Sequence, residues 1–92
     1  MLDPKHSDTG DGLMRVRIEE IGTGQHPSEK LVKIETIEGP EQLVVDKRSI
    51  QDHTLDVGFP VGQNNGHLLV ELPRETVRGA WRVWIDKGIT VG

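Results

Sequence analysis

Turn residues recur closely along this chain, and the segments between them do not carry the pattern of a helix of usual length. Gly22-Thr23-Gly24, Glu38-Gly39-Pro40-Glu41, Ser49-Ile50-Gln51-Asp52, Asn64-Asn65-Gly66, Pro73 and Gly79 cut it into short segments, and short segments rich in β-branched residues with period-two alternation are strands. The expected class is therefore mainly β, with single helical turns at most.

Arg15 to Ile18 alternates charged and apolar, which gives a strand with one wet face, and the adjacent Glu19-Glu20 breaks the phase as a bulge or a strand end would. Gly22 to Ser28 reads as a loop. Leu31 to Ile37 sets Val32, Ile34 and Thr36 on one face; with Leu43-Val44-Val45 it forms a hairpin across the four-residue turn Glu38 to Glu41. Ser49 to Asp52 resembles a capping box with Asp in place of Glu and predicts one helical turn. Asn65-Gly66 tolerates positive φ and predicts a type I′ turn pairing Val57–Val61 with His67–Leu72.

After Pro73 the helical template (Val77, Ala80, Trp81, Trp84, Ile85) competes with a strand template (Trp81, Val83, Ile85). Gly79 costs a continuous helix about 1 kcal/mol, and Trp-Arg-Val-Trp-Ile is rich in β-formers, so the prediction is one helical turn ended by Gly79 and then a strand. The sum is five or six short strands without an internal repeat: a small antiparallel barrel or sandwich. A half-open barrel of the Src-homology-3 type fits the element order best, and an OB-like barrel is the alternative.

Ninety-two residues suit one domain, here 14–88, between a disordered tail over 1–13 and a short end at 89–92. Met14 opens the first patterned segment directly, which leaves Met1 and Met14 as rival starts. Without cysteine there is no disulfide, thiolate nucleophile or sulfur-ligated zinc. The longest apolar runs, such as Leu68-Leu69-Val70, fall far short of the roughly 20 residues of a membrane span, and the first residues have neither a basic start nor an apolar stretch, so the expected location is cytoplasmic. Eleven Lys/Arg against fifteen Asp/Glu give −4. Setting aside Lys5, Asp3, Asp8 and Asp11 leaves ten against twelve, or −2, which opposes broad nucleic-acid binding.

No motif of catalysis stands out, and neither a metal nor a cofactor is expected. His6, His26, His53 and His67 lack the close spacing that puts two rings on one face; Ser7, Ser28 and Ser49 lack a Gly-x-Ser-x-Gly context; pairs such as Glu19-Glu20 and Asp52 with Asp56 are ordinary at 28% charged residues. Gly22-Thr23-Gly24 is followed by neither a Walker lysine nor a helix.

The informative stretch is Pro73 to Trp84, with Arg74, Arg78, Arg82 and both tryptophans. Its structural reading makes Trp81 and Trp84 core, Trp81 above all, with arginine stems screening apolar edges. Its functional reading uses strand alternation: Arg82 and Trp84 fall on the face opposite Trp81, Val83 and Ile85, and Trp and Arg are the residues most enriched at binding hot spots. The expectation is thus a non-enzymatic binding module with candidate residues Arg78, Arg82 and Trp84, aided by the loop Gly22 to Ser28. Its expected partner is a protein or a second copy; the alternatives are RNA or single-stranded DNA on the same segment, and an accessory domain or subunit of an enzyme.

Overall fold

Ten strands and two 3₁₀ turns make up residues 14–91 in the computed structural model; the expected tail over 1–13 lies outside the described residues. The strands are β1 (Met14–Arg17), β2 (Glu19–Thr23), β3 (Glu29–Thr36), β4 (Gly39–Asp46), β5 (Ile50–Gln51), β6 (Thr54–Gly58), β7 (Gly62–Asn64), β8 (His67–Glu71), β9 (Arg82–Asp86) and β10 (Thr90–Val91), with 3₁₀ turns at Lys47–Ser49 and Lys87–Ile89. They form three small antiparallel sheets in the orders β2-β3-β4, β7-β8-β9 and β10-β1-β6-β5. The fold is mainly β, as the short alternating segments predict.

Several local expectations are corrected. The β3–β4 connection is two residues, Ile37-Glu38, rather than four, because the pairing continues through Thr36 opposite Gly39. Ser49 does not cap a helical turn. Asp46 does, accepting from the Arg48 N–H, and Asp52-His53 then reverses the chain with φ of 51° and 62° between β5 and β6. Val57 belongs to β6, which pairs with β1 and β5, so only Gly62–Asn64 faces β8 across the Asn65-Gly66 turn. The bulge comes one step later than the Glu19-Glu20 pair: Ile21 is the extra residue between paired Glu20 and Gly22. Pro73 starts no helical turn, and the segment 89–92 supplies β10, which pairs with β1.

The expected absence of an internal repeat is also overturned. Thr36-Ile37-Glu38-Gly39 recurs forty residues later as Thr76-Val77-Arg78-Gly79, and Asp46-Lys47 recurs as Asp86-Lys87. Gly39 and Gly79 both hold positive φ, at 122° and 91°. Asp46 and Asp86 both cap a 3₁₀ turn by accepting from the N–H two residues on, at 2.9 and 2.7 Å. The strand registers agree: Gly22 opposite Leu31 opposite Val44 matches Gly62 opposite Leu69 opposite Trp84.

Twelve of the thirteen core residues fall into equivalent pairs under this correspondence: Val16/Leu55, Ile18/Val57, Val32/Val70, Ile34/Leu72, Leu43/Val83 and Val45/Ile85. Coincidence does not match sequence, turn geometry, register and burial together. β1–β5 and β6–β10 are therefore two copies of one supersecondary unit, related by an approximate twofold axis at the Val16/Leu55 pair in the central sheet. Each unit contributes one outer sheet, and the central sheet alternates between them, so all three of its ladders join one unit to the other.

Candidate binding surface

Alternation along β9 sends Val83 and Ile85 into the core and leaves Arg82, Trp84 and Asp86 on the outer face of β7-β8-β9. β8 contributes His67, Leu69 and Glu71 to that face. The register fixes three rows: Arg82 beside Glu71, Trp84 beside Leu69 beside Gly62, and Asp86 beside His67 beside Asn64. The middle row is apolar and the flanking rows are polar. Trp84 is half-buried because its ring reaches across Leu69 to Gly62, where a methyl group would stand 3.7 Å from Trp84 Cη2 and 3.3 Å from Leu69 Cβ. The close approach at Gly62 is thus to Leu69, with the Trp84 ring at ordinary contact distance.

Trp81 is not core; it is 45% exposed. It sits just before β9 and its carbonyl accepts from the Leu72 N–H at 2.7 Å, which extends the β8–β9 ladder by one pair. The Arg82 guanidinium covers its ring, and Arg82 Nε and Nη2 both lie 2.9 Å from Glu71 Oε2. Glu71, Arg82 and Trp81 thus form a stacked edge next to the Trp84 row. Arg82 and Trp84 share a face as expected, and Trp81 and Leu69 are the additions that sequence alternation alone did not supply.

Arg78 is engaged elsewhere. Its guanidinium lies 3.3 Å from Glu41 Oε2 on β4, in the other outer sheet, and Arg74 lies 3.4 Å from Glu29 Oε2. Instead of a helical turn, Pro73 to Ala80 forms a loop along the edge of β4, anchored by buried Thr76: Thr76 N–H donates to Ala80 O, Ala80 N–H to Thr76 Oγ1, and Val77 N–H to Gln42 O at 2.7 Å. Pro40, with no N–H of its own, and Glu41, a charge on the inward face, further blunt that edge. Glu41 Oε1 is buried without a hydrogen-bond partner in a 150 Å³ recess with Pro40, Gln42, Val77 and Arg78.

The loop after β2 is shorter and more tightly held than expected, since Gly22 and Thr23 belong to the strand. Gly24 N–H donates to Glu29 O, Glu29 N–H to His26 O, and Lys47 N–H to Ser28 O. A shallow groove of about 430 Å³ runs beside β1, lined by Arg15, Arg17, Gln51, His53 and Val91 among others. Arg15 is immobilised there, donating from Nε to Thr54 Oγ1 at 2.8 Å and from Nη2 to Ser49 O at 3.0 Å. Among the described residues no three His, Asp or Glu side chains converge as a metal site would require, and no helix is long and apolar enough to cross a membrane. No family model matches the chain, and comparison with curated proteins and with solved structures likewise gives no match.

Proposed function

We propose that this protein is a non-enzymatic, cytoplasmic binding module that docks a protein partner on the outer face of β7-β8-β9. The observation that carries the reading is the apolar row of Trp84, Leu69 and Gly62, extended by the exposed ring of Trp81 and bordered by charged rows. Aromatic anchors within a polar rim are the usual make-up of a protein interface. Nucleic acid is the weaker occupant. Arg78 and Arg82, the cations a nucleic-acid mode would use, and Arg74 near them each already face a carboxylate within 3.4 Å, so phosphate would have to displace these ion pairs on a chain of net charge −4. The half-open barrel of the Src-homology-3 type belongs to the same proposal, supported by the ending of each unit in a pair of antiparallel strands, a 3₁₀ turn and a short last strand.

Affinity capture with wild-type protein, Trp84→Ala and Leu69→Lys tests this. Leu69→Lys changes the outer face without touching the core, so it remains informative if Trp84→Ala fails to fold. A partner bound by wild type should lose about thirtyfold affinity or more to a folded variant, as a hot-spot loss of about 2 kcal/mol implies. Its reconstituted affinity should change little between about 0.05 and 0.5 M salt. Capture indifferent to both variants, or affinity falling steeply with salt, overturns the reading.

A further inference from the structure

We propose that the chain exchanges halves with a second copy of itself, by opening the Asp52-His53 turn. Three observations lead there. The two units are structurally equivalent, and each ladder of the central sheet pairs a strand of one with a strand of the other: β10 with β1, β1 with β6, β6 with β5. Each unit also reaches the other's outer sheet, for Ile37 N–H donates to Trp84 O at 2.9 Å while its counterpart Val77 donates to Gln42 O, two residues short of the position equivalent to Trp84, at 2.7 Å. Neither unit completes the central sheet alone.

What decides whether the complementary unit comes from the same chain is the link between them, and that link is two residues long. Asp52 and His53 both occupy left-handed backbone, at φ 51° and 62°, without a glycine. The other two-residue hairpin of this kind uses Asn65-Gly66, where the second residue meets no such penalty. Left-handed backbone costs a residue other than glycine about 1–2 kcal/mol, Asp, Asn and His being the more tolerant, so both residues of this turn carry strain that a glycine would not. In an exchanged dimer β5 and β6 part, the turn becomes a crossover, and that strain is released while every pairing between units is remade with the second chain. Strained short hinges favour such exchange, and equivalence of the units closes it with twofold symmetry. The row around Trp84 lies within one unit and is untouched by the exchange.

The test refolds the full chain from denaturant at high concentration, as an equal mixture of unlabelled and ¹⁵N-labelled protein, and reads mass by native mass spectrometry and light scattering. The expected product includes dimers of mixed mass that survive dilution, with the far-ultraviolet spectrum of the monomer. His53→Gly, which removes the strain at that residue, should lower the dimer fraction at least about fivefold, since 1 kcal/mol corresponds to that factor. Deleting Asp52 and His53 from the full chain should give only folded dimer. Monomers alone from wild type, dimers that His53→Gly leaves unchanged, or a folded monomer from the deletion variant would each overturn the proposal.

Discussion

The Arg82 guanidinium stands 4.9 Å over the ring of Trp81. A solvent-facing tryptophan is covered on one side by a cation that Glu71 holds in place through two nitrogens. This places the ring at the rim of the proposed docking face, where it is partly shielded yet still reachable from solvent. Trp84, three residues on, stands in the row with Leu69 and Gly62 and is the more protected of the two.

The two rings should therefore separate spectroscopically. Iodide should quench the redder part of the emission, and Trp81→Phe should abolish most of that quenching, whereas Trp84→Phe should remove a bluer, less accessible component. If Trp84 proves the more quenchable ring, the row of Trp84, Leu69 and Gly62 is not packed as described.

The Arg78–Glu41 pair is asymmetric, with a 74% exposed guanidinium on a 9% exposed carboxylate. Removing only the cation leaves a buried charge with one oxygen already orphaned. Arg78→Ala should cost about 1–2 kcal/mol in urea unfolding. Glu41→Leu should cost less or even stabilise, because it faces Ile34 across the ladder and the core residues Leu43 and Val45 follow it on the same face. Equal losses from the two changes would contradict this account.

Asp46 carries the pH dependence that can be assigned. The Arg48 side chain first, and then its backbone N–H, hold the Asp46 carboxyl below its ordinary value of 3.8. A carboxyl depressed on folding contributes stability above its unfolded value and loses it as pH falls through the folded one. Asp46→Asn keeps an acceptor for the turn but not the charge. The melting-temperature gap between wild type and this variant should thus be constant at neutral pH and close below about pH 3.8. A gap persisting at lower pH would assign the effect to something other than ionisation.

The elements legible in the sequence were those with their own local chemistry. Asn65-Gly66 announces a type I′ turn, Val32 and Ile34 announce a buried face, and the β-formers from Trp81 to Ile85 outweigh the competing helical spacing. Asp52-His53 announces nothing, because neither residue is a glycine and the turn is imposed by the pairing on both sides of it. Trp81 was misplaced because alternation assigns faces only within a strand, and β9 begins one residue later. The repeat was hidden for a related reason. Its core positions conserve apolar character, and identity only at Val32/Val70, while the offset drifts from 39 at Val16/Leu55 to 38 at Val32/Val70 and 40 at Val45/Ile85, because the loops differ in length. The identities that survive, such as Thr36/Thr76, Gly39/Gly79, Asp46/Asp86 and Gly22/Gly62, are scattered, and they carry weight only once the registers are seen to coincide.

The repeat itself supplies the last prediction, because equivalent glycines should tolerate the same change differently. Gly22 and Gly62 each face a leucine across the ladder, Leu31 and Leu69, but the third member of the row is Val44 in one unit and Trp84 in the other. A methyl group on Gly22 meets Leu31 at 3.8 Å, an ordinary contact, whereas on Gly62 it meets Leu69 Cβ at 3.3 Å with the Trp84 ring 3.7 Å away. Gly22→Ala should shift stability by less than about 0.5 kcal/mol, as surface substitutions generally do. Gly62→Ala should cost about 1–2 kcal/mol, the usual scale of local overpacking, because the added methyl crowds Leu69, which must shift within the row it shares with Trp84. Identical effects of the two substitutions on urea unfolding would mean that Leu69 is not held tightly against Gly62.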